Sequence, residues 1–154
     1  MTILKRVEDL YELTVEEIMN MDVWDLPTIA EGEPLTSLLS ILGRRGYAYV
    51  LDEEGKLVGI VTAKDILHII APRGISYTLA GTSYLRGISA TKVGEIMRKR
   101  VITARKGEKI KNILRKMRDF NVRRIPVVDE EGKLLGEVSL TSLLSLYAQL
   151  LHRT

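Results

Sequence analysis

The side chains best suited to chemistry stand at two matching places. Residues 59–65 read GIVTAKD and residues 136–142 read GEVSLTS. Each stretch follows an extended apolar run and opens a helical one. A hydroxyl at the strand end (Thr62, Ser139) and a polar side chain three residues on (Asp65, Ser142) suit the N-cap and N3 positions of a helix. The same arrangement suits a ligand. A helix N-terminus offers free N–H groups and partial positive charge to phosphate or other polar atoms. A carboxylate accepts hydrogen bonds at both oxygens and so matches the vicinal hydroxyls of a ribose. At this level Thr62 and Asp65 read equally as a helix cap or as a nucleotide contact. Ile60 and Ala63 would line the same pocket, and Lys64 fits a phosphate contact as well as plain exposure. In the second stretch Ser142 offers one neutral hydrogen bond in place of a charged bidentate pair. That pocket is expected to be weaker or empty. Glu137 adds a carboxylate to its strand, expected to face away from Ser139.

A phosphate needs cations. The stretch NVRRIPVVD offers Arg123 and Arg124, whose guanidinium forks suit phosphate oxygens; the alternative is a solvated basic turn. The corresponding stretch GRRGYAYVLD is two residues shorter, so Arg44 or Arg45 stands within reach of the equivalent place. The chemistry available is therefore anion and sugar binding. No nucleophile with a base, no acid–base pair and no metal set emerges, so an enzyme is not expected. Cysteine is absent, which excludes disulfides and thiolate sites. The two histidines are too few for a histidine metal site. His68, in ILHII, reads as a packed helix residue, and His152 as solvated.

The elements that must position these groups form an internal repeat. DEEGKLVGIVT begins at Asp52 and DEEGKLLGEVS at Asp129, 77 residues later. VEEIM (15–19) matches VGEIM (93–97), and EGEPLTSLL (31–39) matches KGEKIKNIL (106–114), in the same order. Each copy reads as helix, short strand, helix, strand, strand, helix. Thr14 with Glu17 has capping-box spacing for the first helix. Short extended pieces come next, around Leu26–Ile29 and Val101–Thr103. Leu35, Leu38, Leu39 and Leu42, and Ile110, Ile113, Leu114 and Met117, have helical spacing. Gly55 and Gly132 supply the hairpin turns. Outside the repeat, residues 1–13 carry Ile3, Leu4, Val7, Leu10 and Tyr11 on one helical face, and 72–90 read as a connection after Pro72. Trp24, in the insertion NMDVWDLP, suits a core or interface position. The leucine-rich face of 140–151 suits a dimer contact.

Charge is uneven along the sequence. Residues 1–72 hold 6 Lys/Arg against 13 Asp/Glu, and residues 73–154 hold 17 against 7. The basic half raises an alternative reading, nucleic-acid binding, weakened by the lack of aromatic–basic interleaving. The asymmetry also favours a head-to-tail homodimer, which would set acidic halves on basic ones. No apolar run reaches the roughly 18 residues of a membrane span, and the acid-rich N-terminus is unlike a secretory signal. A cytoplasmic location is expected.

The order EIM, a threonine-containing strand, RIPVVDEEGKLLG and then G-x-x-T-x-x-D resembles the CBS domain, over about residues 14–71 and 91–150. Two copies look like a Bateman module. The resemblance implies an α/β (α+β) fold of two pseudo-twofold-related repeats with sheets packed face to face, and further pairing into a homodimer. It implies regulation without catalysis: AMP, ADP, ATP or S-adenosylmethionine bound in a cleft, no obligatory cofactor, and a signal to a separate protein partner. Carried onto this sequence, it gives Thr62 and Asp65 phosphate or ribose contacts. Arg123 and Arg124 resemble the His-Arg pair that contacts phosphates in the gamma subunit of AMP-activated protein kinase. Thr28, Tyr47, Ala48 and Val101 would surround the base, with ordinary strand packing the alternative for Thr28 and Tyr47. Thr103, Ile125, Pro126, Ser139 and Ser142 would form the weaker second pocket.

Overall fold

The computed structural model describes residues 6–20, 23–71 and 90–152. The expectations for Ile3 and Leu4, for 72–89 of the connection, and for Met21 and Asp22 of the insertion lie outside the described residues. In chain order come α1 (Val7–Glu12), α2 (Val15–Ile18), a 3₁₀ turn (Val23–Asp25), β1 (Thr28–Ala30), α3 (Leu35–Arg45) and β2 (Tyr47–Leu51). The chain continues with β3 (Leu57–Thr62), α4 (Ala63–Ile70), α5 (Val93–Ile96), α6 (Ile110–Phe120), β4 (Arg124–Val128), β5 (Leu134–Ser139) and α7 (Leu140–His152). The fold is mixed α/β with small sheets, as the sequence pattern predicts. Among the described residues no helix is long and apolar enough to cross a membrane.

The chain forms two compact units. One is Met1–Val23 with Ile102–Thr154, and the other is Trp24–Val101. In the second unit α3 buries Leu35, Leu38 and Leu42 along one stripe; Leu39, predicted on that face, is 39% exposed. The helix stops at Gly46, whose φ of 82° is the left-handed cap that glycine accepts freely. Strands β2 and β3 form a hairpin, and β1 adds a parallel edge to β2. Asp52 accepts the Glu54 and Lys56 N–H groups at 2.9 Å, which closes the turn. The first unit repeats the plan. α6 buries Ile110, Ile113 and Met117, β4 and β5 pair antiparallel, and Asp129 closes the turn through Glu131 and Lys133.

The first unit departs at its third strand. Residues 101–103 form no strand, and a single parallel bridge, Ala104 with Val127, stands in for β1. In the second unit the Tyr49 N–H donates to the Pro27 carbonyl at 2.8 Å. The residue 77 positions later is Pro126, which has no N–H to donate. That rung of the ladder cannot form, and the sheet keeps two strands.

The compact units also differ from the sequence repeats. The EIM segment of each copy packs with the sheet of the other. Val15 and Met19 belong to the core of Ile110, Ile113, Ile125 and Val138. Val93 belongs to that of Leu35, Leu38, Val50 and Val61. Backbone bonds fix each exchange. Val15 N–H donates to Glu108 O and Ile110 N–H to Leu13 O, both at 2.8 Å. In the other unit Leu35 N–H donates to Thr91 O and Val93 N–H to Glu33 O, at 2.8 and 2.9 Å. The strand pattern alone cannot reveal this, because a four-residue helix with one short apolar edge fits either sheet.

The exchange redistributes the charge. Counted by unit, the first holds 13 Lys/Arg against 12 Asp/Glu, and the second 10 against 8. The acidic and basic halves of the sequence are not acidic and basic bodies. Glu12 bonds Lys109 at 2.6 Å and Lys111 at 3.2 Å, and these lysines hold its carboxyl below the ordinary 4.5. The grounds for a nucleic-acid surface and for a head-to-tail dimer both lapse.

Each exchanged segment ends against a glycine. A Cβ on Gly59 would meet the Met97 Sδ at 2.5 Å, and one on Gly136 would run into the Asn20 backbone carbonyl. A thioether can swing aside; a backbone carbonyl held in a two-bond bridge cannot. Gly136→Ala is therefore expected to lower the unfolding free energy by roughly 1–3 kcal/mol, and by more than Gly59→Ala, in urea denaturation. Equal losses would contradict this account of the crossing.

Candidate functional site

In the second unit β3 runs directly into α4. Thr62 is the N-cap, extended at φ −114° and ψ 163°. Its Oγ1 accepts the Asp65 N–H at 3.3 Å, and Asp65 Oδ2 accepts the Thr62 N–H at 2.9 Å. Two of the free donors at the helix start are thus satisfied reciprocally. The capping reading is correct as local structure. Asp65 goes beyond it: its Oδ1 accepts the Arg98 Nε–H at 2.8 Å, and Arg98 Nη2 contacts the same oxygen. The Asp65 side chain is 12% exposed and that of Arg98 63%. Sequence reasoning misses Arg98. Its signal there is faint: it follows EIM in the second copy where Asn20 follows it in the first.

The sheet brings together most of the predicted contacts. The register sets Tyr47 opposite Thr62, Ala48 opposite Val61 and Tyr49 opposite Ile60, with Thr28 beside Tyr49. Ile60 is half-buried, while Ala63 and Lys64 are exposed. The Ala63 N–H donates to the Gly46 carbonyl at 2.9 Å, tying the start of α4 to the start of β2. Tyr47 and Ala48 are buried, at 6% and 0% exposure, and Tyr47 packs edge-on against Tyr49. Strand packing accounts for their side chains. Val101 is half-buried and lies in no strand. Thr28 also lines a cavity of about 360 Å³ with Trp24, Ile41, Arg44 and Arg45. Trp24 is 84% exposed, so it is no core residue. His68, expected to be packed, is exposed on α4.

The first unit holds the matching helix start with weaker chemistry. The Ser142 N–H donates to Ser139 Oγ at 3.2 Å, and Ser139 Oγ donates to Ser142 Oγ at 2.8 Å. Leu140 N–H donates to the Arg123 carbonyl at 2.8 Å, the counterpart of Ala63 and Gly46. Arg123 and Arg124 are exposed, and Arg124 Nε stands 3.9 Å from Glu137 Oε1. Glu137, 8% exposed, is two residues from Ser139 on one strand and so shares its face. The expectation that it turns away is corrected. Ile125 and Pro126 are buried in β4. Thr103 is half-buried, and its carbonyl accepts Lys116 Nζ at 2.8 Å.

Two helix starts stand on matching hairpins, each reached by an exchanged EIM segment. The sequence profile of the CBS domain matches residues 15–72 and 93–149. The chain belongs to the CBS-domain family. Its tandem pair is similar to the CBS domain pair of protein MJ0100 in complex with 5′-methylthioadenosine and S-adenosyl-L-methionine. That match has 25% identity and a TM-score of 0.68, over 89% of this chain and 97% of the other. The cytosolic domain of the Mg²⁺ channel MgtE in complex with ATP matches at 26% identity and a TM-score of 0.65, over 90% and 50% of the two chains. A homoserine O-acetyltransferase of Methanococcus vannielii is 33% identical over 134 residues, 86% of this chain and 24% of the enzyme. The CBS pair thus spans about a quarter of that relative's length.

Capping alone makes a checkable difference between the two CBS helix starts. Asp65→Ala removes a carboxylate cap and leaves Thr62 N–H without its acceptor. It is expected to cost about 1 kcal/mol of stability. Ser142→Ala removes a neutral bond at an exposed position and is expected to cost less than half of that. Chemical denaturation of both variants decides it, and a larger loss from Ser142→Ala would refute the ranking.

Proposed function

We propose that this CBS pair is a regulatory module that binds an adenosine nucleotide or S-adenosylmethionine and signals to a separate protein. The observation that carries the reading is Asp65: a nearly buried carboxylate at the start of the helix that follows β3, whose sheet carries Thr28, Ile60 and Thr62. Ribose hydroxyls suit the carboxylate, and a polar ligand atom suits the Thr62 hydroxyl and the positive end of the α4 dipole. In the other unit, Arg123 and Arg124 are candidates for an anion contact by side-chain type and place in the repeat. The adenosine compounds held by the related CBS structures support this ligand class. Ligand binding would favour one conformation of the protein over another, and the partner would read the difference.

The same reading makes Ser139 and Ser142 a weaker pocket. Titration calorimetry of the nucleotide-stripped protein with AMP, ADP, ATP, S-adenosylmethionine and NADH tests it. Loss of the carboxylate in Asp65→Ala is expected to weaken binding about tenfold, in line with one charged hydrogen bond, while Ser142→Ala leaves it nearly unchanged. Equal losses would sink the assignment of one strong site, and no binding by any compound would return Thr62 and Asp65 to capping alone.

Assembly as a homodimer belongs to the same proposal. The equivalent helices α4 and α7 expose leucine at the same repeat position, Leu67 at 54% and Leu144 at 56%. Ile70 on α4 and Leu151 on α7 are also exposed, and apolar surface at matching positions suits a symmetric contact. Leu144→Asp is expected to shift the protein toward monomer in light scattering coupled to gel filtration. An unchanged mass would remove α7 from the interface.

A further inference from the structure

The carboxylate assigned to the ribose is already engaged. A carboxylate oxygen offers about two lone-pair sites. Asp65 Oδ2 gives one to the Thr62 N–H, and Oδ1 gives one to the Arg98 Nε–H, with Nη2 of the same guanidinium lying against that oxygen. The guanidinium thus covers Oδ1, while Oδ2 keeps an open site among these partners. A vicinal diol places one hydroxyl on each oxygen, so Oδ1 must be released before the diol can bind in that way.

Arg98 is held at this place by its backbone. Its N–H donates to the Ile60 carbonyl at 2.9 Å, and the Ile60 N–H donates to its carbonyl at 3.0 Å. Ile60 lies two residues before Thr62 on β3, so the guanidinium stays in reach of Asp65. The first unit builds the same bridge. Asn20 N–H donates to Glu137 O at 2.8 Å, and Glu137 N–H donates to Asn20 O at 3.1 Å. Asn20 stands where Arg98 does in the repeat, and Ser142 stands where Asp65 does. Both members of the pair therefore differ together: two charges in one unit, an amide and a hydroxyl in the other. Stability is a poor account of the charged version, because a guanidinium 63% exposed contributes little through an ion pair.

We infer that Arg98 is an internal competitor for the ligand. Its guanidinium occupies Asp65 Oδ1 in the empty site and gives way when a ribose diol arrives. Arg98 thereby sets the affinity for diol-bearing ligands and spares ligands that do not use Asp65. The inference rests on the ribose reading of Asp65.

Calorimetry on the full chain separates the two. The variants are Arg98→Ala and Arg98→Asn, the second copying the residue of the other unit. The probes are AMP and 2′,3′-dideoxy-AMP, and circular dichroism verifies folding. Removing an exposed ion-pair partner is expected to tighten AMP binding by about two- to fivefold. Binding of the dideoxy probe should not change, and Arg98→Ala should add nothing in an Asp65→Ala background. AMP binding by Arg98→Ala but not by the unaltered protein would also support the competitor. If the unaltered protein binds AMP and both variants bind it equally or more weakly, the competitor is overturned and the ribose reading stands. Equal tightening of both probes overturns it as well. If neither the unaltered protein nor any variant binds AMP, the competitor and the ribose reading fall together.

Discussion

The structure depends on one constraint, the close crossing of an exchanged segment over a glycine in the second strand of each hairpin. At Gly136 the backbone of Asn20 lies where a Cβ would be, and at Gly59 the side chain of Met97 does. Each crossing is locked by two backbone hydrogen bonds, Asn20 with Glu137 and Arg98 with Ile60. A segment tethered at one end by Val15 or Val93 in the core and at the other by a two-bond bridge cannot slide. The bridge residue is thereby placed beside the start of the next helix. The position of Arg98 at Asp65 is a consequence of backbone pairing, not of attraction between the two charges.

That order of causes matters for the energetics. An exposed ion pair alone would be a weak organiser, since ordering two side chains offsets most of the Coulomb gain. Here the backbone has already ordered the guanidinium's attachment point, so the pair forms at lower entropic cost. The cap works in the same way. Thr62 and Asp65 satisfy each other across the first turn, which fixes the carboxylate before any ligand approaches. A preorganised acceptor costs a ligand less than one that must be ordered on binding.

Much of this is legible in the sequence. The repeat, the buried stripes Leu35–Leu38–Leu42 and Ile110–Ile113–Met117, the glycine turns and the two helix caps are local patterns, and local patterns survive in one sequence. The exchange is not legible, because EIM carries the same apolar face toward either sheet. The missing strand at 101–103 has a readable cause: Pro126 removes a donor from the ladder. Leu39 and His68 depart from expectation because apolar spacing marks a face without saying how far the core extends beneath it. Arg98 needs tertiary structure, since nothing near it in sequence points 33 residues back to Asp65. The charge halves mislead for the same reason as the exchange. They are counted along a chain whose segments change sides.

The two copies also serve as controls for each other. They keep the bridge, the crossing glycine, the hydroxyl cap and the Asp-closed turn. They differ at Asp65 and Ser142, at Arg98 and Asn20, and at Gly46 and Arg123. The shared positions are those the backbone requires, and a frame that tolerates serine and asparagine in one unit does not require aspartate and arginine in the other. The charged residues of the second unit therefore call for a cause outside the frame. A nearly buried carboxylate facing an exposed cation is costly as decoration and useful as a ligand contact whose strength can be set. Arg123 and Arg124 of the first unit are likewise residues whose identity the frame does not dictate, which is where binding chemistry has room to differ.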